Sequence, residues 1–178
     1  MVRMRALQAV LCSLALAAAA PTNYSVRLDT ASAPELAGTH VATLRQAVRA
    51  FGPPDRVVPV AGVRPVCRAS WQRLGLEIRF TTAKAGACTA SDMRSWWQVT
   101  MRAAHWHTRL GLHVGDGEDK LHSRYPDASR LDFLGLGVLW ELETGGPLCD
   151  GGSPLALAAR IVNGRVGALV VVHVPACG

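Results

Sequence analysis

A His-x-His motif, His105 and His107, is the first feature of this chain that could carry chemistry. On a β-strand this spacing places both imidazole rings on one face, where they can bind a metal ion. His113, Asp116 or Asp119 could complete the ligand set. The spacing itself supplies two ligands rather than three, so the alternative interpretation is a solvated segment between two halves of the chain. A small metal-dependent hydrolase around His105 and His107 is therefore an alternative function.

Paired carboxylates are a second candidate, because Glu141 and Glu143 are predicted to share one face of a strand. Neighbours at this spacing fall within the separation of about 5–9.5 Å that glycosidase carboxylates need. An open sheet gives them no cleft to raise a pKa, so an exposed charged face explains them equally well. The acidic run at 115–119 lacks the alternating acids of a calcium loop and is typical of a helix start. The sequence predicts no catalytic residue, no metal and no cofactor.

Tryptophan and arginine predict a binding surface. Trp71, Trp97 and Trp140 are expected in the core, and alternation with Trp97 then places Trp96 on the polar face of its strand. Exposed tryptophan and arginine are enriched at binding hot spots. Packing of Trp96 beneath a loop is the alternative. The predicted binding face consists of Trp96, Arg68, Gln72, Arg79, Gln98 and Arg102.

Short helices and alternating strands must position this face. Thr43 and Gln46 form a capping-box pattern at the start of one helix, and Asp116 is expected to cap a second. Asn163-Gly164 between two apolar runs predicts a two-residue hairpin. The strands alternate between apolar and polar residues. This pattern predicts antiparallel sheet with one face covered by the helices and the other facing solvent or a partner.

An internal repeat is suggested by residues 38–43, GTHVAT, and 111–116, GLHVGD, which match at an offset of 73. The predicted fold class is therefore α+β, with two tandem helix-plus-antiparallel-sheet repeats and the helices on one sheet face. The predicted division is a signal peptide at 1–19, a mobile N-terminal arm at 20–37, repeat 1 at 38–108 and repeat 2 at 109–178.

The N-terminus has the pattern of a secretory signal peptide. Arg3 and Arg5 precede an apolar run, and Ala17 to Ala19 supply the small residues of a cleavage site. An N-terminal membrane anchor is the alternative, but the apolar run is shorter than the roughly 20 residues that a spanning helix needs. We expect a secreted or extracytoplasmic protein with no membrane span after cleavage.

Cysteine number agrees with export. Four cysteines follow the signal peptide, and in an exported protein they predict two disulfides. Three pairings are possible. The expected pairing is the one that closes two local loops, Cys67–Cys88 and Cys149–Cys177.

The formal charge of +6 is carried almost entirely by arginine, with lysine only at Lys84 and Lys120. The arginines are spread along the chain with acids between them. Because a nucleic-acid surface clusters its basic residues, nucleic acid is not expected as a partner. An extracytoplasmic protein is the expected partner.

A resemblance supports this interpretation. The segments FGPPDRV, GLHVGDGEDKLHSRYP and LAARIVNGRVGALVVV are similar to those of a group of exported actinobacterial proteins. More remotely, the tandem pattern resembles the β-lactamase inhibitor protein and the single-repeat lipoprotein of the outer-membrane assembly machine. The resemblance implies an α+β fold and a binding role, and it transfers no catalytic residue. The expected function is a non-catalytic protein-binding module that uses the solvent face of its sheet, with a structural cell-envelope component as a further alternative.

Overall fold

A computed structural model describes residues 23–28, 33–62, 65–91, 93–133, 136–145 and 155–173. None of the helices in these ranges is long and apolar enough to cross a membrane. The described α-helices are α1 (Leu44–Phe51) and α2 (Glu118–Arg124), and a short 3-10 helix covers Gln72–Leu74. The described strands are β1 (Ser25–Leu28), β2 (Pro34–Leu36), β3 (Thr39–His40), β4 (Arg56–Val60), β5 (Val66–Trp71), β6 (Leu76–Thr82), β7 (Met93–Met101), β8 (His107–Thr108), β9 (Ser129–Phe133), β10 (Gly137–Gly145), β11 (Leu155–Val162) and β12 (Arg165–His173).

A large antiparallel sheet dominates the fold. Its eight strands have the order β4-β5-β6-β7-β12-β11-β10-β9. Strands β4 to β7 form one meander after α1, and β9 to β12 form another after α2. The two meanders join where β12 pairs with β7. The other four strands form a small sheet in the order β3-β2-β1-β8, in which β1 and β8 run parallel.

The predicted α+β class with two tandem helix-plus-sheet repeats is wrong, because the protein is mostly β. Strands hold 53% of the described residues and helices 14%. The physical reason lies in the lengths of the elements. The eight residues of α1 make a helix only about 12 Å long, whereas eight strands span about 34 Å across the sheet. Two such helices cannot cover the sheet, and the small sheet shares that task.

The main hydrophobic core lies on one face of the large sheet, which we term the first face. In β5 and β6 every second residue is buried against it. Both helices and the small sheet pack on this side, as shown by Leu44, Leu121 and Val26 in the core. The buried indole nitrogen of Trp106 donates to the Leu74 carbonyl at 2.7 Å. The core thus satisfies the polar atom of its largest fully buried side chain.

The opposite face of the large sheet, termed the second face, has two different halves. On β5 and β6 it carries charged side chains such as Arg68, Glu77 and Arg79. On β10 to β12 this face carries a buried apolar cluster, so the prediction that the whole face meets solvent or a partner is wrong for these residues. Small side chains fit close together there. The buried cluster consists of Leu139, Ala156, Ala158, Ala168, Val170 and Val172. Arg160, opposite Ala168, is exposed on the same face.

The mobile arm predicted at 20–37 is also wrong for its described part. Residues 25–28 and 34–36 form β1 and β2, which pair antiparallel. Val26 and Leu36 are fully buried in the main core. Strands of four and three residues are too short to show a clear two-residue period, which explains why alternation did not identify them.

The predicted capping box and hairpin are confirmed, whereas the predicted cap of the second helix is not. The Thr43 hydroxyl accepts from the Gln46 backbone N–H at 3.3 Å, and the Gln46 side chain accepts from the Thr43 N–H at 3.0 Å. The predicted capping box is therefore confirmed. The hairpin at Asn163-Gly164 is confirmed too, with positive φ at both residues. Asp116 does not cap α2 as predicted, because Gly117 occupies the N-cap position.

A disulfide joins Cys67 on β5 to Cys88 in the segment between β6 and β7, as predicted. The two Cα atoms lie 5.6 Å apart. The predicted Cys149–Cys177 pair lies outside the described residues. The observed bond fixes the β6–β7 connection against the neighbouring strand β5.

Removal of this disulfide should destabilise the protein. Its cysteines are separated by 21 positions, and a cross-link over such a loop stabilises by about 3 kcal/mol in the chain-entropy account. We expect the Cys67→Ala, Cys88→Ala double variant to lose about that much unfolding free energy in urea. Under reducing conditions that open the bond in the wild type, the difference should shrink to the packing cost of Cys67. An unchanged midpoint under oxidising conditions would contradict this prediction.

Tyr125 should make the fold sensitive to alkaline pH. Burial raises the pKa of Tyr125 to about 12, an effect opposed by a hydrogen bond with Thr108 and reinforced by the Glu143 charge. The folded state therefore favours the neutral phenol. Its contribution to stability is complete below the unfolded pKa of about 10 and disappears as pH rises through about 12. At pH of about 11 the wild type should have lost about 1 kcal/mol of this contribution. The measurement is the drop in urea midpoint between pH of about 9 and about 11, which should be larger in the wild type than in Tyr125→Phe. Equal drops in the two proteins would refute it.

Candidate functional site

The charged half of the second face is the candidate site, and we call it the arginine face. Alternation along β5 and β6 points Arg68 and Arg79 away from the core. Strand register then places Arg68 opposite Arg79, and Arg79 opposite Gln98 of β7. Arg56 of β4 lies one row along, opposite Ser70. The arginine face consists of Arg56, Arg68, Arg79 and Arg102, together with Glu77 and Gln98.

Glu77 is the acid at the centre of this face. One of its carboxylate oxygens lies 3.3 Å from Arg79 Nε, and the other lies 3.5 Å from Arg102 Nη1. The Glu77 side chain is only 13% exposed, whereas that of Arg102 is 48% exposed. One carboxylate is thus shared between two guanidinium groups. Within the described residues no acid forms an ion pair with Arg68 or Arg56.

Arg68 and Arg79 are two positive charges directly opposite each other on neighbouring strands. Like charges directly opposite each other on neighbouring strands destabilise a sheet, by an amount similar to the 0.2–1 kcal/mol or so that favourable pairs contribute. This placement is expected to add no stability to the fold beyond the contact of Arg79 with Glu77. An anionic group bound between the two guanidinium groups would remove the repulsion and form charge-assisted hydrogen bonds. The arrangement is therefore suited to binding carboxylate or a similar anion.

Trp96 does not belong to this face, so its predicted exposure is wrong. Its side chain is 3% exposed and lies in the main core. The cause is an irregularity between β6 and β7, where Arg79 pairs with Gln98 but Phe80 pairs with Trp96. The extra residue on β7 resets the alternation. Trp97 is the residue left half-buried, and the Trp96 ring stacks on His173 at 4.5 Å.

Of the two predicted glutamines, Gln98 lies on a strand and Gln72 lies in the turn between β5 and β6. Gln98 is on the second face but is 3% exposed, and its amide donates to the Thr100 hydroxyl at 2.9 Å. Gln72 is exposed in the turn between β5 and β6, where its backbone N–H donates to Asp55. Arg68, Arg79 and Arg102 therefore remain as the accessible cations. Glu77 and Arg56, which the sequence prediction left out of the set, follow from continuing the alternation along β6 and from the β4–β5 pairing.

The predicted His105–His107 pair does not form a site. His105 lies in the turn before β8 and packs on Tyr24 with ring centroids 4.0 Å apart. His107 instead faces His113, and their ring centroids are 5.0 Å apart. No group of three or more His, Cys, Asp or Glu side chains among the described residues could hold a metal ion. A three-ligand hydrolase centre at His105 and His107 therefore has no geometric support in this part of the chain.

The predicted carboxylate pair is separated by a β-bulge. Glu141 pairs with Ala158, whereas Glu143 pairs with Leu157, and the register shifts between them. The Tyr125 hydroxyl donates to Glu143 at 3.2 Å, while Glu141 accepts from the Thr144 hydroxyl. The two carboxylates are thus committed to different partners. They do not form the shared-face pair that the spacing predicted.

Asp116, from the acidic run, has a structural role. Its carboxylate accepts from the His113 backbone N–H at 2.7 Å and pairs with Lys120 at 2.8 Å. Burial raises the pKa of Asp116, but the hydrogen bonds from Lys120 and His113 outweigh it and lower the pKa below 3.8. These interactions fix the turn that leads into α2, which accounts for the acidic residue without a calcium ion.

A cleft of about 430 Å³ lies at the far end of β4 and β5. Its lining among the described residues is aliphatic, and these residues offer no side chain for acid–base or nucleophilic chemistry. The lining residues are Pro59, Val60, Ala61, Gly62, Pro65, Val66, Ala85 and Gly86.

Comparison of the chain with protein families, with curated proteins and with solved structures finds no match. The resemblance to exported actinobacterial proteins and to the β-lactamase inhibitor protein therefore stays a prediction. The geometry of the described residues is what bears on function, and it favours the arginine face.

Proposed function

We propose that this chain is an exported, non-catalytic binding module that recognises an acidic segment of an extracytoplasmic protein through the arginine face. The observation that carries the proposal is the register of Arg68 opposite Arg79, on a face with Glu77 as its acid. Guanidinium groups bind carboxylates in a bidentate fashion and are enriched at protein interfaces. Two of them on adjacent strands present such a site on rigid elements.

The form of the sheet favours a ligand on its face rather than at its edge. β4 is the outer strand beside the arginines, and Pro59 within it cannot donate a backbone hydrogen bond. An added strand along β4 would therefore be interrupted. A partner that lies across β4 to β7 would reach Arg56, Arg68 and Arg79 without needing that edge.

An extracytoplasmic location is supported by two features. The Cys67–Cys88 disulfide suits an oxidising compartment. The basic, apolar and small-residue pattern of residues 1–19 is that of a signal peptide. A partner outside the cytoplasm is the consequence of both. A structural envelope component would need neither an accessible arginine pair nor a specific acidic ligand.

Substitution of the facing arginines should weaken binding of an acidic ligand. The probe is a short labelled peptide of alternating Glu and Ser, titrated by fluorescence anisotropy. Arg68→Ala combined with Arg79→Ala should raise the Kd about tenfold or more, since a loss of about 1.4 kcal/mol from the pair corresponds to tenfold and arginine is enriched at hot spots. The matched control is Arg45→Ala combined with Arg49→Ala, which removes equal charge from exposed positions on α1.

A change in Kd of no more than about twofold is expected for that control. Equal weakening in both double variants would show a non-specific charge effect and contradict the proposed face. Absence of any measurable binding of the peptide to the wild type would also contradict it. The same variants can then be compared in capture of proteins from the secreted fraction.

Relief of the arginine repulsion should stabilise the fold. Arg68→Thr removes one of two like charges in register and introduces a residue that favours strands. We expect the unfolding free energy to rise by about 0.5 kcal/mol while peptide affinity falls. Arg56→Thr is the control on the neighbouring strand, because Arg56 faces Ser70 rather than another arginine. A destabilised Arg68→Thr protein, measured by urea unfolding, would mean that the arginine pair is structural.

A further inference from the structure

His107 and His113 form a cross-strand pair that the proposed binding function does not use. An antiparallel bridge places the two residues directly opposite each other. The flanking backbone bonds run from Thr108 N–H to Leu112 O at 2.9 Å and from Val114 N–H to Trp106 O at 3.1 Å. This pattern defines a non-hydrogen-bonded pair, the class in which opposite side chains approach most closely. Both imidazoles therefore project from the same side of a two-strand ladder.

Hydrogen bonds orient the two rings. His107 Nδ1 lies 3.1 Å from the Thr108 carbonyl oxygen, and His113 Nδ1 lies 3.2 Å from the Gly111 carbonyl oxygen. A carbonyl oxygen only accepts, so each contact requires the proton on Nδ1. In the neutral ring the lone pair is then on Nε2. This is the tautomer that metal-ligating histidines adopt, with Nδ1–H held by a backbone carbonyl.

The ring separation fits one shared metal ion. With metal–nitrogen bonds of about 2.0–2.1 Å, two Nε2 ligands hold their ring centroids about 4.6 Å apart at a right angle and about 5.3 Å apart at a tetrahedral angle. The observed centroid separation is 5.0 Å, with the ring planes tilted by 42°. The distance therefore lies between the two common geometries. The His113 side chain is 44% exposed, so water can occupy the remaining positions.

The surrounding packing makes the pair rigid. Trp106 and Leu112, which precede the two histidines, are fully buried. Thr108 is fully buried as well, and its hydroxyl accepts from the Leu112 N–H at 3.2 Å. Positive φ at Gly111 allows the tight return between the strands. A ligand pair held in this way loses little conformational entropy when a metal binds.

We propose that His107 and His113 form a surface site for one divalent transition-metal ion, with Cu²⁺ bound most tightly. The site has two imidazole ligands and completes its coordination with water. Imidazole nitrogen suits copper, nickel and zinc, and Cu²⁺ is the strongest binder among divalent first-row metals. Asp116 Oδ2 lies 3.7 Å from His113 Nδ1 and brings negative charge close to the ligand ring, although Lys120 offsets part of it.

The test is a titration of the full chain with Cu²⁺ in a non-chelating buffer, followed by calorimetry and electron paramagnetic resonance. We expect a one-to-one site whose spectrum shows two imidazole nitrogens on copper. His107→Gln and His113→Gln should each raise the Kd at least tenfold. The matched control is His122→Gln, because the His122 side chain is 43% exposed, almost the same as His113.

The control should change the Kd by less than twofold. A comparable loss of affinity in His122→Gln, or a spectrum that contains one imidazole nitrogen, would overturn the proposal, as would the absence of one-to-one binding. A second measurement needs no variant: substoichiometric Cu²⁺ should broaden the proton resonances of two histidines first. Uniform broadening of all histidine signals would overturn the proposal even if a variant failed to fold.

Discussion

The pairing of β7 with β12 is the constraint on which the rest of the structure depends. Each four-stranded meander can form from strands that are neighbours in sequence, and β7 and β12 are then the inner edges of the two meanders. The β7–β12 ladder closes those two edges against each other over the register from Gln98↔Val172 to Met101↔Leu169. Val99 and Val171 meet on the first face in this ladder and are fully buried. Because the paired residues are far apart in sequence, formation of this contact has a large loop-closure cost.

The same ladder explains the division of the second face. Charged and polar residues of β5 to β7 lie on one side of it, and small apolar residues of β11 and β12 lie on the other. Thr100 and Val170 face each other across the boundary. An acidic ligand on the arginine face would therefore border an apolar, buried surface. Glu141 and Arg160 of the second meander also lie on this face, opposite Ala158 and Leu139. The first meander is distinguished by its two facing arginines rather than by charge alone.

β-Bulges determine which side chains are available for function. The irregularity between β6 and β7 moves Trp96 from the predicted binding face into the core. The bulge between Glu141 and Glu143 separates two carboxylates that simple alternation would have placed together. In both cases the residue types were identified correctly and their phase was not. A single inserted residue inverts every assignment beyond it, because the period of a strand is two residues.

Sequence reasoning succeeded for several local interactions, although the cap expected from Asp116 was wrong. The capping box at Thr43 and Gln46, the hairpin at Asn163-Gly164 and the Cys67–Cys88 bond involve short separations or strong residue preferences. The row of Arg68, Arg79 and Gln98 also follows, because β5 and β6 alternate without interruption. The small sheet could not be inferred, since its strands are short and β1 pairs with the distant β8. Nor could the facing of His107 and His113, which depends on a turn geometry rather than on a motif.

The two candidate ligand sites differ in what holds them. The arginine face is built on long strands of the large sheet, and Glu77 pairs with Arg79 but not with Arg68, which faces Arg79 across the strands. The histidine pair lies in the segment that includes β8 of the small sheet, anchored by Trp106 and Leu112 in the main core. That core lies on the first face, whereas the arginines project from the second. The large sheet therefore lies between the two sites, and each can be tested by substitutions that leave the other site's residues in place.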